Sequence, residues 1–382
     1  MIEVSHVQDL VKTSYKKEDV VVLLKDLSSC MKPLSAEKRE AAIQSGVHYS
    51  EMLPEESAPS EEYETLYKSA LQSKKTEIAE GIAKVSEIML GQTKENGVPV
   101  IISLARAGLP VGILMKRYIK EKYNIDCPHY GISIIRDKGI DENAMKFIYD
   151  AEVVANKNSV CNFFFIDGWT GKGAIKNQLT EAVQNLKQSD SDKWSELHDD
   201  LYVLADPANI TEYCGTRVDY LLPSACLNST VSGLTSRTIL NSYVDVDNGD
   251  FHGAVYLKSF ENIDKSNEFI DIVSQEFKNI DTPDRNKVQL SEGWNGMDIV
   301  NDICNIHSIP DYKKVKPGIG ETTRVLLRRV PWKVFINKDI SIDDPDIAHI
   351  ILLCKEKNIS TMRWDLGNYK VCGIIKELSA DA

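Results

Sequence analysis

Hydrophobic positions change their spacing twice along the 382-residue chain. Before about residue 97 apolar residues recur at helical intervals, over Glu18 to Leu27 and along the charged, amphipathic stretch Tyr63 to Leu90. A helical N-terminal extension is therefore expected over 1–97. Between its helices lies a loop, Ser45 to Ser60, bearing His48, Tyr49 and two prolines. From Val98 short apolar runs take over: Val98 to Leu104, Tyr130 to Ile135, Ser159 to Ile166, Leu201 to Ala205 and Tyr220 to Leu222. Helical stretches separate them, at Pro110 to Tyr123, Gly173 to Leu186 and Ser232 to Leu240. Such alternation predicts βαβ units and a mainly parallel sheet, an α/β domain over 98–285. The charge-mixed stretch Ser274 to Asn286 reads as a linker, and a second, smaller α/β pattern starts near Val315, giving a C-terminal domain over 286–382.

Composition narrows the class. The chain is long enough for two domains, and 42% hydrophobic with 27% charged residues is a globular balance. No run of 18 apolar residues occurs, and no basic start leads into an apolar stretch, so a soluble, cytoplasmic protein without a membrane partner is expected. The eight cysteines show neither CxxC nor paired Cys/His spacing, which argues against zinc and against a disulfide scaffold. A net charge of -12 repels bulk nucleic acid. The acid is concentrated around Glu51 to Glu64, however, whereas Lys313 to Lys338 is locally basic, so a local RNA site is compatible with the whole.

The strongest chemical signal is Asn162-Phe163-Phe164-Phe165-Ile166-Asp167-Gly168-Trp169-Thr170-Gly171-Lys172-Gly173, a strand delivering an acid into a small-residue turn before a helix. Backbone amides of Thr170, Gly171, Lys172 and Gly173 would point at a phosphate, and the helix dipole would favour its charge. Asp167 would accept ligand hydroxyls or hold a hydrated Mg2+. Upstream, Ser103-Leu104-Ala105-Arg106-Ala107-Gly108 again joins a strand to a helix through a tight turn. Arg106 at the end of a buried strand is costly unless paired or aimed at an anion, which its planar fork suits.

Together these loops resemble the phosphoribosyltransferases over roughly residues 98 to 240. The resemblance implies that Ser103, Ala105, Arg106, Ala107 and Gly108 hold the pyrophosphate of phosphoribosyl pyrophosphate, while Thr170 to Gly173 hold its 5-phosphate. Lys138 to Asp141 is placed like that family's mobile catalytic loop. The family's signature has two adjacent acids, whereas here Asp167 stands alone before Gly168.

A third signal is Pro223-Ser224-Ala225-Cys226-Leu227-Asn228-Ser229-Thr230-Val231-Ser232-Gly233, followed by Phe251-His252-Gly253. A reactive thiolate at Cys226 requires a cationic or helix N-terminal neighbour, and His252 would supply the former if the fold brings it there. The alternative is a buried cysteine beside a loop in which Ser229 and Thr230 contact a base or acceptor. Across residues 14 to 260, Ser14-Tyr15, Val20 to Leu27, Ser45 to Pro54, Pro128-His129-Tyr130 and Pro223 to Gly233 resemble the StiP family of tellurium-resistance and stress-response clusters. That family is commonly labelled a cysteine protease, which implies Cys226 with His252 or His48 as its pair.

Beyond Val315, Gly318-Ile319-Gly320-Glu321-Thr322-Thr323-Arg324 opens a helix carrying Arg328 and Arg329. This resembles the pelota and ribosomal L7Ae module, in which a Gly-x-x-Glu-x-x-Lys/Arg helix start meets kinked RNA. The resemblance implies that Gly318, Gly320, Glu321, Arg324 and Arg328 contact RNA, with Gly320 replacing the asparagine of the ribosomal members. Three functions are carried forward: a phosphoribosyltransferase-like enzyme with an RNA-binding module, a cysteine hydrolase, and a non-catalytic nucleotide and RNA-binding protein. The oligomeric state is open.

Overall fold

The computed structural model describes residues 9–56, 58–155, 160–224 and 228–376. The first elements are short: strands β1 (Val21–Val22) and β2 (Lys25–Asp26), then helix α1 (Ala36–Gln44) and the long α2 (Glu61–Gln92). The sheet domain follows with β3 (Gly97–Leu104), α3 (Gly108–Tyr123), β4 (His129–Ile132), β5 (Ile134–Ile135), β6 (Gly139–Ile140), α4 (Glu142–Tyr149) and β7 (Val160–Trp169). It continues through α5 (Ala174–Ser189), α6 (Ser191–Trp194), β8 (Leu201–Ala205), β9 (Cys214–Thr216), β10 (Gly253–Ala254) and α7 (Ser266–Glu276). The last module contains α8 (Gly296–Ile306), β11 (Val315–Pro317), α9 (Ile319–Arg328), β12 (Pro331–Asn337), α10 (Ala348–Glu356), β13 (Ser360–Trp364) and β14 (Val371–Ile375).

Six strands form one sheet in the order β1-β4-β3-β7-β8-β9, and every neighbouring pair is parallel. The alternating side chains of β3 explain why both faces are covered. Val100 and Ile102 pack with Phe165, Val203, Leu179 and Leu186 under α5, and Ile101 packs with Ile166, Leu204, Ile82 and Ile113 under α2 and α3. The chain turns from β3 to β4 on one side and reaches β7 on the other, so the order reverses between β3 and β7. A crevice is expected at the carboxyl ends of those two strands.

The C-terminal module is a four-stranded sheet in the order β11-β14-β12-β13, with only β12 and β13 parallel. Val315, Phe335, Cys372 and Ile374 pack with Val300 and Ile303 of α8 on one face.

Several expected elements differ. Glu18 to Leu27 is two short strands rather than a helix, and β1 adds to the edge of the parallel sheet. Ser232 to Leu240 is an irregular buried segment whose hydroxyls are satisfied locally, as when Thr235 donates to the Ser232 carbonyl. Tyr220 to Leu222 is buried but not a strand, and the sheet ends instead at β9. Ser159 lies outside the described residues. The stretch read as a linker begins inside α7 and then lies along the sheet domain, where Arg285 pairs with Glu87 and, just beyond it, the Val288 amide donates to the Glu212 backbone carbonyl. The module's first helix, α8, precedes the point where the pattern was expected to begin.

Candidate functional site

The crevice between β3 and β7 opens as a cleft of about 670 Å3, roofed by the C-terminal module. From the sheet domain come Arg106, Arg136, Asp167, Trp169 and Arg237, and from the C-terminal module Lys316, Glu321, Arg324 and Arg329. Six cations thus face two carboxylates in a protein whose net charge is -12. A side lobe of about 270 Å3 runs to the turn Thr170 to Gly173 and to Lys172.

Asp167 is 9% exposed, and the Gly168 amide donates to it at 2.7 Å. Burial raises its pKa to about 7. β7 runs two residues beyond Asp167, so the acid sits within the strand and the turn starts later than the sequence implied. Consequently the Thr170 amide donates to the Ala205 carbonyl at 3.1 Å instead of facing a ligand, and its hydroxyl bonds Asp206. The amides at the start of α5 have no side-chain cap, and Gly173 adopts φ +81° as the residue before the helix. That positive φ suits glycine, so the helix start is left open toward the lobe.

Lys172 donates to the carbonyls of Tyr312 at 2.8 Å and Val315 at 2.9 Å. Burial, with Lys316 and Arg136 nearby, lowers its pKa to about 8. Lys316 is lowered by burial and by Arg329 and Arg136, and Arg237 by burial and by Arg106 and Arg39. Burial pushes Glu321 upward, but Arg324 and Lys316 outweigh it and leave its carboxyl below the ordinary range.

Arg106 donates to Glu56 at 3.0 Å and to the Thr235 carbonyl at 3.0 Å, and Ser229 donates to the other Glu56 oxygen at 2.7 Å. A carboxylate from the N-terminal segment therefore occupies the place where a phosphate was expected. Ala105 and Ala107 line the cleft. Ser103 does not: its hydroxyl donates to the Gly108 carbonyl at 3.0 Å and meets His129 Nε2 at 2.8 Å, while His129 Nδ1 bonds the Asp19 carbonyl. Gly108 is a packing glycine, since a Cβ there would lie 2.3 Å from the Ile166 carbonyl. Thr230 is 1% exposed and Ser229 2%. Of the loop Lys138 to Asp141, Gly139 and Ile140 form strand β6, paired to β5, and Asp141 is anchored, capping α4 through the Ala144 amide.

Cys226 lies outside the described residues. His252 Nδ1 meets Ser133 at 2.9 Å, its amide donates to Asp141 at 2.6 Å, and burial lowers its pKa to about 4. His48 Nδ1 meets Ser50 at 2.7 Å. Burial raises the thiols of Cys127, Cys214 and Cys372 to about 12.

The C-terminal motif is turned inward. Asp219 accepts the Ile319 amide at 3.0 Å and the Lys370 amide at 2.9 Å, capping α9 from the sheet domain. Gly318 is buried at φ +93°, and Gly320 and Glu321 line a seam whose void is only about 20 Å3. Arg324 pairs with Glu321 at 2.7 Å and lies 5.4 Å from the Trp169 ring. The Arg328 side chain lies outside what is described. Tyr369 donates to the Gly171 carbonyl at 2.5 Å, which ties the turn after β7 to the second module. Arg136, Arg237, Lys316 and Glu56 were not anticipated, because each is an ordinary surface-type residue until the fold gathers it.

A cation-lined crevice at the switch point of a parallel sheet, closed by an RNA-binding-type module, defines a two-module α/β protein. The chain belongs to the StiP family: the family model described as tellurite-like stress resistance cysteine protease StiP matches residues 13–274. The PELOTA RNA binding domain model matches residues 294–377. Cysteine protease StiP of Acinetobacter baylyi (strain ATCC 33305 / BD413 / ADP1) is 30% identical over 378 residues, 96% of this chain and 94% of that protein. Among the described residues no helix is long and apolar enough to cross a membrane, and no group of three His, Cys, Asp or Glu converges as a metal site.

Proposed function

We propose that the chain is a phosphoribosyltransferase-like enzyme whose cleft holds phosphoribosyl pyrophosphate or a related ribose 5-phosphate ligand. One observation carries the reading: Arg106, Arg136, Arg237, Lys316, Arg324 and Arg329 crowd onto one cleft, and burial first, with neighbouring like charge second, holds Lys172 and Lys316 below their ordinary pKa. Such crowding costs free energy until an anion arrives, so the site is built for a highly charged ligand. The open start of α5 would take the 5-phosphate, and Arg106, Arg136, Lys316 and Arg329 the pyrophosphate. As the bond from ribose C1 to pyrophosphate breaks and an acceptor bonds to C1, these cations would stabilise the departing charge. Asp167 would accept the ribose hydroxyls. Mg2+ would be held by Asp167 through water together with the ligand's own phosphates, since Mg2+ keeps several waters and needs few protein ligands. The C-terminal module would add RNA as a partner.

A second reading, a cysteine hydrolase using Cys226, is favoured by the name of the Acinetobacter relative. The two readings separate by calorimetry and by peptidase assay. Phosphoribosyl pyrophosphate with Mg2+ should bind the wild type in the micromolar range and bind Arg136→Ala at least about tenfold more weakly. Absence of heat with the wild type, together with casein cleavage lost in Cys226→Ser, would replace the first reading by the second.

A further inference from the structure

We propose that the C-terminal module binds single-stranded RNA on a platform around Trp332, away from the start of α9, and that the strand's end enters the basic cleft. Where the strand ends rests on the reading of the cleft as a ribose-phosphate site; that the strand binds does not. The start of α9 is closed to a kinked duplex: Ile319 is fully buried, its amide is held by Asp219, and the seam has room for about one water.

A recess of about 230 Å3 lies elsewhere on the module, lined by Pro310, Lys314, Trp332, Ile375 and Lys376 among others, without a carboxylate among its lining residues. Trp332 is 40% exposed, with the Lys333 ammonium 3.9 Å from its ring centroid. Tyr312, 42% exposed, lies 5.1 Å from the ammonium of Lys172, the lysine of the phosphate turn. Ile375 borders both the recess and the cleft, so the two meet at that residue. Exposed aromatic rings interleaved with lysines suit unstacked bases on a phosphate chain, since a ring stacks any base and the ammonium groups follow the backbone. A duplex keeps its bases stacked inside and offers Trp332 no face. An apolar protein segment would use the tryptophan but leave the lysines unmatched.

The test uses the full chain and a fluorescently labelled RNA strand of about 12 nucleotides, within the length such surfaces cover. Anisotropy is read for wild type, Trp332→Ala, Trp332→Phe and Lys376→Glu, with pyrophosphate calorimetry on each. Trp332→Ala and Lys376→Glu should each weaken the strand about tenfold, Trp332→Phe should restore most of it, and pyrophosphate binding should not change. An unlabelled RNA hairpin should compete poorly. Equal strand affinity in wild type, Trp332→Ala and Lys376→Glu, no strand binding by the wild type, or a hairpin competing as well as the strand would each overturn the proposal. Tryptophan-dependent strand binding without pyrophosphate binding would uphold the platform and remove the cleft reading instead.

Discussion

The Asp219 carboxylate and the Ile319 amide, 100 residues apart in the chain, meet at 3.0 Å, and through them the sheet domain caps the helix that opens the pelota motif. Asp219 is 5% exposed and also accepts the Lys370 amide, so two backbone donors of the second module depend on one side chain. Asp219→Ala leaves both donors buried and unpaired. A loss of about 2–3 kcal/mol is expected, combining a lost helix cap with two unsatisfied amides. Urea unfolding followed by tryptophan fluorescence measures it, and a change under 0.5 kcal/mol, roughly the scatter of surface substitutions, would show that the cap is not what fixes the module.

Glu56 is paired with Arg106 and Ser229 as a ligand phosphate would be, and any anion binding there must displace it. Glu56→Gln keeps the shape and removes the charge. Pyrophosphate should bind this variant about five- to tenfold more tightly than wild type by calorimetry, because Arg106 no longer exchanges one anion for another. Weaker binding would mean that Glu56 holds Arg106 in its working position.

Asp167 gives the cleft a pH dependence. Burial raises its pKa to about 7, so it is mostly neutral below that pH and adds a negative charge above it. Without Mg2+, an anionic ligand should therefore bind progressively more weakly as pH rises through about 7, by about tenfold at the upper end. The same sign applies to folding, because the native state holds this proton more tightly than the unfolded chain and loses stability as pH climbs from about 4 to 7. Asp167→Asn should remove the part of the pyrophosphate decline centred near pH 7 and leave the part that follows Lys172 near pH 8, and an unchanged profile would assign the titration to another group.

The parallel sheet was legible because its buried strands leave short apolar runs between helical ones, and β3, α3 and β8 fall close to where those runs are. The start of the chain was not. Val20 to Leu24 is a continuous apolar run, buried except at the half-buried Val21, and such a run reads equally as helix or strand when only its apolarity is seen. Loops bearing Arg106 and Asp167 carried a local signal, glycine and small residues between strand and helix. Glu56 and Arg237 reach the same cleft from 50 residues before and 131 residues beyond Arg106, with nothing in their neighbours to announce it. The pelota motif was read from its residues, but its direction was not, since that depends on Asp219 and Trp169 in the other module.

Gly108 separates a packing role from a ligand-binding one. Its place beside Arg106 suggests a glycine that lets a phosphate approach, yet the atom closest to an added Cβ is the Ile166 carbonyl at 2.3 Å, with the Asp167 Cα at 3.3 Å. These are backbone atoms of the central strand, held on both sides by β3 and β8, and they have no room to move. Gly108→Ala should therefore force α3 away from β7 and cost about 3 kcal/mol or more, at the upper end of overpacking, with pyrophosphate binding lost as the Arg106 turn that leads into α3 shifts. Gly171→Ala is the control, since a Cβ there meets nothing within 4 Å. It should leave stability within about 0.5 kcal/mol of wild type. If Gly108→Ala kept wild-type stability and lost only the ligand, the glycine would be serving the phosphate after all.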